Sequence, residues 1–329
     1  MTSGGTMSIA FRMGGIFLGW LLLCFCAVAN PGSPEIAAEV SMNQMAGRGD
    51  FLIVTLRLQD GEKLPFVVDT GASGTLIDQS LIPKLGESLG KVRDVHWGVV
   101  STYKTYAAPR LYLGDVPLIM TNRVAAFDCK EDFSGENPPV MGMLGMDVLR
   151  HYCIQLDFNT GKLRLLDSKA GDKRQWGEAF PIMPLGAHDS RPAVAGNLLG
   201  LSSSRSLIDS GCTYDGWLMP RNFREWTNSA VPVAERESRS PDGFFDGENY
   251  PLVDVMMQKV KNDGIGLHFL ARHLVTLDFP NQILYLKRQS VGPLADPGQK
   301  ITAIKVIEPL ARHSRDTAAE TGDEKGGRS

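Results

Sequence analysis

The chain has 329 residues, with 34 Lys+Arg against 37 Asp+Glu and a formal charge of -3. That near-neutral balance excludes a protein held to nucleic acid by general phosphate attraction, and equally an acidic solvating tail. Hydrophobic residues at 43% and charged residues at 22% exclude wholesale disorder and a multi-pass membrane protein, leaving one large or two ordinary domains.

At the start, residues 13–29 carry no charge, follow Arg12 and end in Ala27-Val28-Ala29, the small-residue pattern of an export cleavage site. Residues 1–29 are expected to be a removed signal peptide, which makes the protein exported, periplasmic or secreted. The alternative is an uncleaved membrane anchor, against which the run is short for ~30 Å of hydrocarbon. Residues 30–49 read as a leader or short propeptide.

From there the chain consists mostly of short apolar segments separated by Gly, Pro, Asp and Asn, which predicts strands with few, brief helices. Strands are expected over 51–58 and 66–68, then a helix over 81–89. A hairpin follows, built from Asp94-Val95-His96-Trp97-Gly98-Val99-Val100 and from residues 102–106, its glycine at the turn. Further helices are predicted over 146–151, 220–226 and 267–272. Residues 168–175 form a polar linker between an N-terminal lobe at 50–167 and a C-terminal lobe at 176–307. Residues 308–329 lack periodicity and are expected to be a disordered tail.

Two of the five cysteines, Cys24 and Cys26, lie in the signal segment, leaving Cys129, Cys153 and Cys212 with at most one bridge among them. No metal-ligand spacing occurs, so neither metal nor cofactor is expected.

An internal repeat organises the rest. Gly145-Met146-Asp147-Val148-Leu149, Gln155-Leu156-Asp157-Phe158 and Leu163-Arg164-Leu165 are echoed by Gly266-Leu267-His268-Phe269-Leu270, Thr276-Leu277-Asp278-Phe279 and Leu284-Tyr285-Leu286, at a constant offset of 266 − 145 = 121. Upstream, Phe66-Val67-Val68-Asp69-Thr70-Gly71-Ala72-Ser73 matches Ser206-Leu207-Ile208-Asp209-Ser210-Gly211-Cys212-Thr213. Each is an apolar strand ending in aspartate, a hydroxyl residue and glycine, and the glycine permits a tight loop there. Aspartate to later glycine spans 145 − 69 = 76 residues in the first unit and 266 − 209 = 57 in the second, so the first holds 19 more. The predicted hairpin accounts for them, and no equivalent hairpin is expected in the second unit.

These two Asp-[Thr/Ser]-Gly loops, each followed by a hydrophobic-glycine segment, resemble the two active-site halves of an aspartic peptidase. The likeness is to pepsin-like enzymes in carrying both halves on one chain, and to retropepsin-like enzymes in the short lobes and Asp-Thr-Gly-Ala-Ser sequence. It implies two β-barrel-like lobes of the acid-protease type related by a pseudo-twofold axis. It also implies that Asp69 and Asp209 are a catalytic pair and that Thr70 and Ser210 brace the loops. Ser73 and Thr213 would hydrogen-bond the outer carboxylate oxygens. Gly71 and Gly211 would let backbone amides approach the carboxylates, and Gly145 and Gly266 would be packing positions. His96, Trp97 and Gly98 fall where a substrate-covering flap lies, with Tyr103 as an alternative flap residue.

The chemistry asks for two carboxyls because close neighbours cannot both ionise easily; they share a proton, so one acts as base while the other acts as acid. The function implied is hydrolysis of an extended polypeptide by a monomer, with no nucleic-acid partner and a membrane contact only if the N-terminal segment stays uncleaved. The alternative is a secreted peptide-binding or inhibitory module on the same bilobal scaffold, or an all-β envelope protein whose Asp-Gly turns merely look catalytic. Serine-hydrolase, P-loop and dinucleotide-binding motifs are absent. Asp157 and Asp278 read as turn formers, and Cys212 as a small buried filler.

Overall fold

The computed structural model describes residues 36–96, 99–136, 138–169, 172–187, 189–201, 204–227 and 237–295. The expected signal peptide and C-terminal tail lie outside them, as do Trp97 and Gly98. Among the described residues no helix is long and apolar enough to cross a membrane.

Among the described residues the molecule is mainly β, with three sheets of nine, seven and six strands and a few short helices. The nine-stranded sheet belongs to the N-terminal lobe and the seven-stranded sheet to the C-terminal lobe. The strand orders run open from edge to edge, so no closed barrel forms among the described residues.

The six-stranded sheet joins the lobes. At its centre the strand Cys153–Asp157 pairs antiparallel with His273–Asp278, placing Gln155 opposite Thr276. Those two residues are 276 − 155 = 121 apart, the repeat offset itself, so the repeat's twofold passes between them. The Gln155 amide donates to Thr276 Oγ1 (3.1 Å) across that axis. A duplicated strand pairing with its own copy in this way is what an antiparallel dimer-like interface between two halves of one chain requires.

Within each lobe, the strand leading to the aspartate is buried on both faces, which is why its sequence is continuously apolar rather than alternating. In Lys63–Val68, residues Leu64, Phe66 and Val68 enter the main core while Val67 faces a separate cluster with Ile53, Phe127 and Met143. In Arg205–Asp209, Ile208 enters the main core and Leu207 faces the equivalent cluster with Cys212 and Trp217. Both strands run parallel to the segment before the repeated glycine: Val68 pairs with Leu144, and Ile208 with Ile265.

Several elements differ from the sequence expectation. Of the segment read as a leader or short propeptide, the described residues 36–49 pack onto the fold: Ile36–Ser41 is an edge strand on Lys162–Leu166, and Met42 and Ala46 are buried in the main core. The linker is partly structured, with Lys173–Trp176 forming a 3-10 turn and Trp176 buried against Tyr285. The expected helices are shorter, at Ile82–Leu85, Met146–Leu149 and Leu267–Leu270, while Pro220–Thr227 is the longest. All three cysteines are free and buried.

The predicted hairpin is present as Gly90–His96 paired with Val99–Ala107. The second lobe, however, carries its own hairpin at the same point in the chain order, Glu237–Phe245 with Glu248–Met257. There one strand does two jobs: Glu248–Met257 closes the hairpin and also runs parallel to Gly216–Leu218. In the first lobe the parallel partner of Leu76–Asp78 is a separate strand, Arg123–Phe127, reached after Leu111–Leu113 and Val116–Pro117. That excursion holds the extra residues of the first unit.

Candidate functional site

Asp69 and Asp209 stand at the ends of the two equivalent strands, and the lobes bring them together. The two carboxyl groups are close enough for the charge of Asp69 to act on Asp209. A methyl placed on Gly71 would overlap the Asp209 carboxyl, and one on Gly211 would overlap that of Asp69, so each loop's glycine makes room for the other lobe's acid. Backbone amides hold one oxygen of each: Gly71 and Ala72 N–H donate to Asp69 Oδ1 (2.7 and 3.1 Å), and the Gly211 N–H donates to Asp209 Oδ1 (2.8 Å).

Thr70 and Ser210, both buried, lock the loops to each other. The Thr70 N–H donates to Ser210 Oγ and the Ser210 N–H to Thr70 Oγ1, both at 3.0 Å. Each hydroxyl in turn donates to the facing strand, Thr70 to the Ile208 carbonyl and Ser210 to the Val68 carbonyl, both at 2.7 Å. Exchanging the lobes exchanges these four bonds. Four satisfied hydrogen bonds in a dry site are worth about 1 kcal/mol each, and more is lost when one partner is left unpaired.

The helices after the repeated glycines buttress the loops from below. The Met146 N–H donates to the Ala72 carbonyl (2.9 Å), as the Leu267 N–H does to the Cys212 carbonyl (2.7 Å). Gly145 and Gly266 abut the backbone of Gly74 and Tyr214, leaving no space for a side chain.

Ser73 and Thr213 depart from the expectation. Among the described residues neither hydroxyl bonds a carboxylate; the amide donors of the loops take that place. Of the flap residues, His96 ends its strand, while Tyr103 packs in the cluster beside Ala72, its ring edge-on to Phe127 at 6.5 Å. Asp157 and Asp278 lie at strand ends, bonded to Arg164 (3.1 Å) and Lys173 (3.0 Å).

Burial, then the charge of Asp69 and the hydrogen bond with it, push the Asp209 carboxyl well above its ordinary 3.8, opposed by the Gly211 amide and by Arg191. Burial also pushes the Cys212 thiol up, with the charge of Asp209 adding to it, so the sulfur stays protonated and is no nucleophile.

Two groups beside the loops escaped the sequence reading. Arg191, on the strand Asp189–Ala195, donates to the Gly71 carbonyl (3.1 Å). Beneath the second loop, Asp215 and Arg272 form a fully buried ion pair (2.8 Å). Asp215 also accepts from the Asp254 N–H (2.7 Å) and has His268 at 3.4 Å. The first lobe fills the equivalent place with Thr75, which donates to Asp147 (2.7 Å) and accepts from the Gly145 N–H (3.1 Å). The Asp-Thr-Gly sequences point to none of these, since charges and hydroxyls six or more residues away are brought in by the fold.

Residues 54–148, which include the first loop and its glycine segment, match the family model described as aspartyl protease. The protein is aspartic-peptidase-like. No curated protein matches the chain. At the coarse level the match supports a peptidase, a hydrolase of peptide bonds, whose substrate would be a polypeptide. The second loop lies outside the matched residues and rests on the repeat and on the geometry around Asp209.

Proposed function

We propose that the protein is an aspartic endopeptidase in which Asp69 and Asp209 activate a water between the lobes. The observation that carries this reading is the meeting of two carboxyls supplied by different lobes, each lying against the other loop's glycine and held by the reciprocal Thr70–Ser210 bonds. Two half-buried acids this close retain one proton between them, so a base and an acid are available in one place.

The ionised member takes a proton from the water, whose oxygen attacks the peptide carbonyl carbon. The protonated member gives its proton to the carbonyl oxygen, forming a neutral tetrahedral diol. Transfer of a proton to the amide nitrogen then lets the C–N bond break, and the pair returns to its singly protonated state. No covalent bond to the protein forms, and no cofactor is needed. Each chain supplies both acids, so a monomer suffices.

The substrate lies extended across the interlobe cleft, and the hairpin Gly90–His96 with Val99–Ala107 is the flap over it, with His96, Trp97, Gly98 and Tyr103 as its contact residues. We further propose export, on the strength of the apolar run and Ala27-Val28-Ala29.

Incubation with a denatured protein from acid to neutral pH, with and without a statine-type inhibitor, tests the reading. Inhibitor-sensitive internal cleavage is expected. Intact substrate at every pH, with the peptide bound, would replace the enzyme by a binding module.

A further inference from the structure

The two lobes match closely at the loops, yet one residue has no counterpart of its kind. In the first lobe Ile53 pairs with Val67, and in the second Ala193 pairs with Leu207. Both members differ by 140, so the position equivalent to Arg191 is 191 − 140 = 51, which is Phe51. That ring stands edge-on to Phe133 (5.1 Å) and packs in the cluster with Ala72. A neutral aromatic thus flanks one side and a guanidinium the other.

Arg191 is held in a fixed pose. Its Nε and Nη2 donate to Asp189 (2.9 and 2.7 Å), a two-pronged grip that leaves Nη1 to reach across the lobe boundary to the Gly71 carbonyl (3.1 Å). That carbonyl belongs to the peptide unit whose N–H, on Ala72, donates to Asp69 Oδ1 (3.1 Å). One side chain of the second lobe therefore fixes the peptide unit that orients the acid of the first, and sets a permanent cation beside both acids.

We propose that Arg191 is a positioning residue of the reaction, which ties the Asp69 loop across the lobe boundary and sets the acid limit of the working pH range. The inference rests on the endopeptidase reading above. A nearby cation favours the ionised form of the pair, so the ionised member survives to lower pH. The charges of both acids act on Arg191 in return. Among the described residues, the other titratable groups around the pair are Cys212 on the second loop and, below it, Asp215 with Arg272 and His268; Asp189 faces Arg191 itself. Arg191 is the cation whose charge acts on Asp209, and it is about a third exposed, so its field is partly screened.

The experiment compares kcat/KM against pH for the wild type, Arg191→Met and Arg191→Lys, alongside a titration of the Asp209 carboxyl carbon by NMR in the same three proteins. Arg191→Met, which removes the charge, is expected to move the acid limb and the carbon titration upward by about half to one pH unit. Arg191→Lys, which keeps the charge but loses the fork, is expected to hold the limb near its wild-type place while lowering the plateau. Equal losses in both variants with an unmoved limb and titration would overturn the inference and leave Arg191 a structural residue. If the wild type cleaves nothing, the endopeptidase reading falls, and the carbon titration alone still decides whether Arg191 acts on the pair.

Discussion

Asp209 bears a cost that its neighbours accept on behalf of the site. It is half-buried and set close to another acid, and its raised pKa means that folding takes up a proton between 3.8 and the higher native value. The sign follows: stability from this group is undiminished below about pH 4, falls as pH rises through the native value, and stays lost above it. Asparagine mimics the neutral form without the charge. Asp209→Asn is therefore expected to melt at a higher temperature than the wild type at neutral pH, with the gain vanishing toward pH 4. Calorimetry across that range checks it; an equal or lower melting temperature at neutral pH would mean the carboxylate is better solvated than the geometry implies. The aspartates themselves were legible in the sequence because the loop around each is written locally, as apolar strand, acid, hydroxyl and glycine. Arg191 and the Asp215–Arg272 pair were not, since their effect passes through space between residues tens of positions apart.

Among the elements, the edge strand Ile36–Ser41 and the second hairpin show where pattern reading stops. Ile36–Ser41 alternates weakly and sits in a stretch that resembles a leader, yet it continues the six-stranded sheet by pairing with Lys162–Leu166. Its chain also carries Ala38, Met42 and Ala46 into the core. The hairpin strand Glu237–Phe245 reads as Ser, Arg, Pro, Asp and Gly rather than as a strand, because an outer hairpin needs backbone pairing more than apolar faces. The strand Lys63–Val68, apolar on both faces, was easy to see for the opposite reason. A chain lacking residues 36–49 is expected to lose about 2–5 kcal/mol of stability, since three buried apolar side chains and a strand pairing go with it. Urea unfolding of the shortened protein measures this; an unchanged midpoint would return the segment to the status of a dispensable leader.

At the scale of the whole molecule, duplication explains both the sheet and the site. One twofold passes between Gln155 and Thr276 in the joining sheet, and the four exchanged Thr70–Ser210 bonds obey the same exchange of lobes. The sheet fixes the lobes as one body, and that rigidity is what allows two acids to be pressed together at the loops. This large-scale arrangement was readable from the 121-residue offset, whereas the open form of the sheets and the position of the extra residues required the strand pairings. The central claim is that neither acid works without the other. Purified Asp69→Asn and Asp209→Asn, each shown to be folded, should both cleave a denatured protein at least about a thousandfold more slowly than the wild type at every pH. Near-normal turnover by either variant would contradict it.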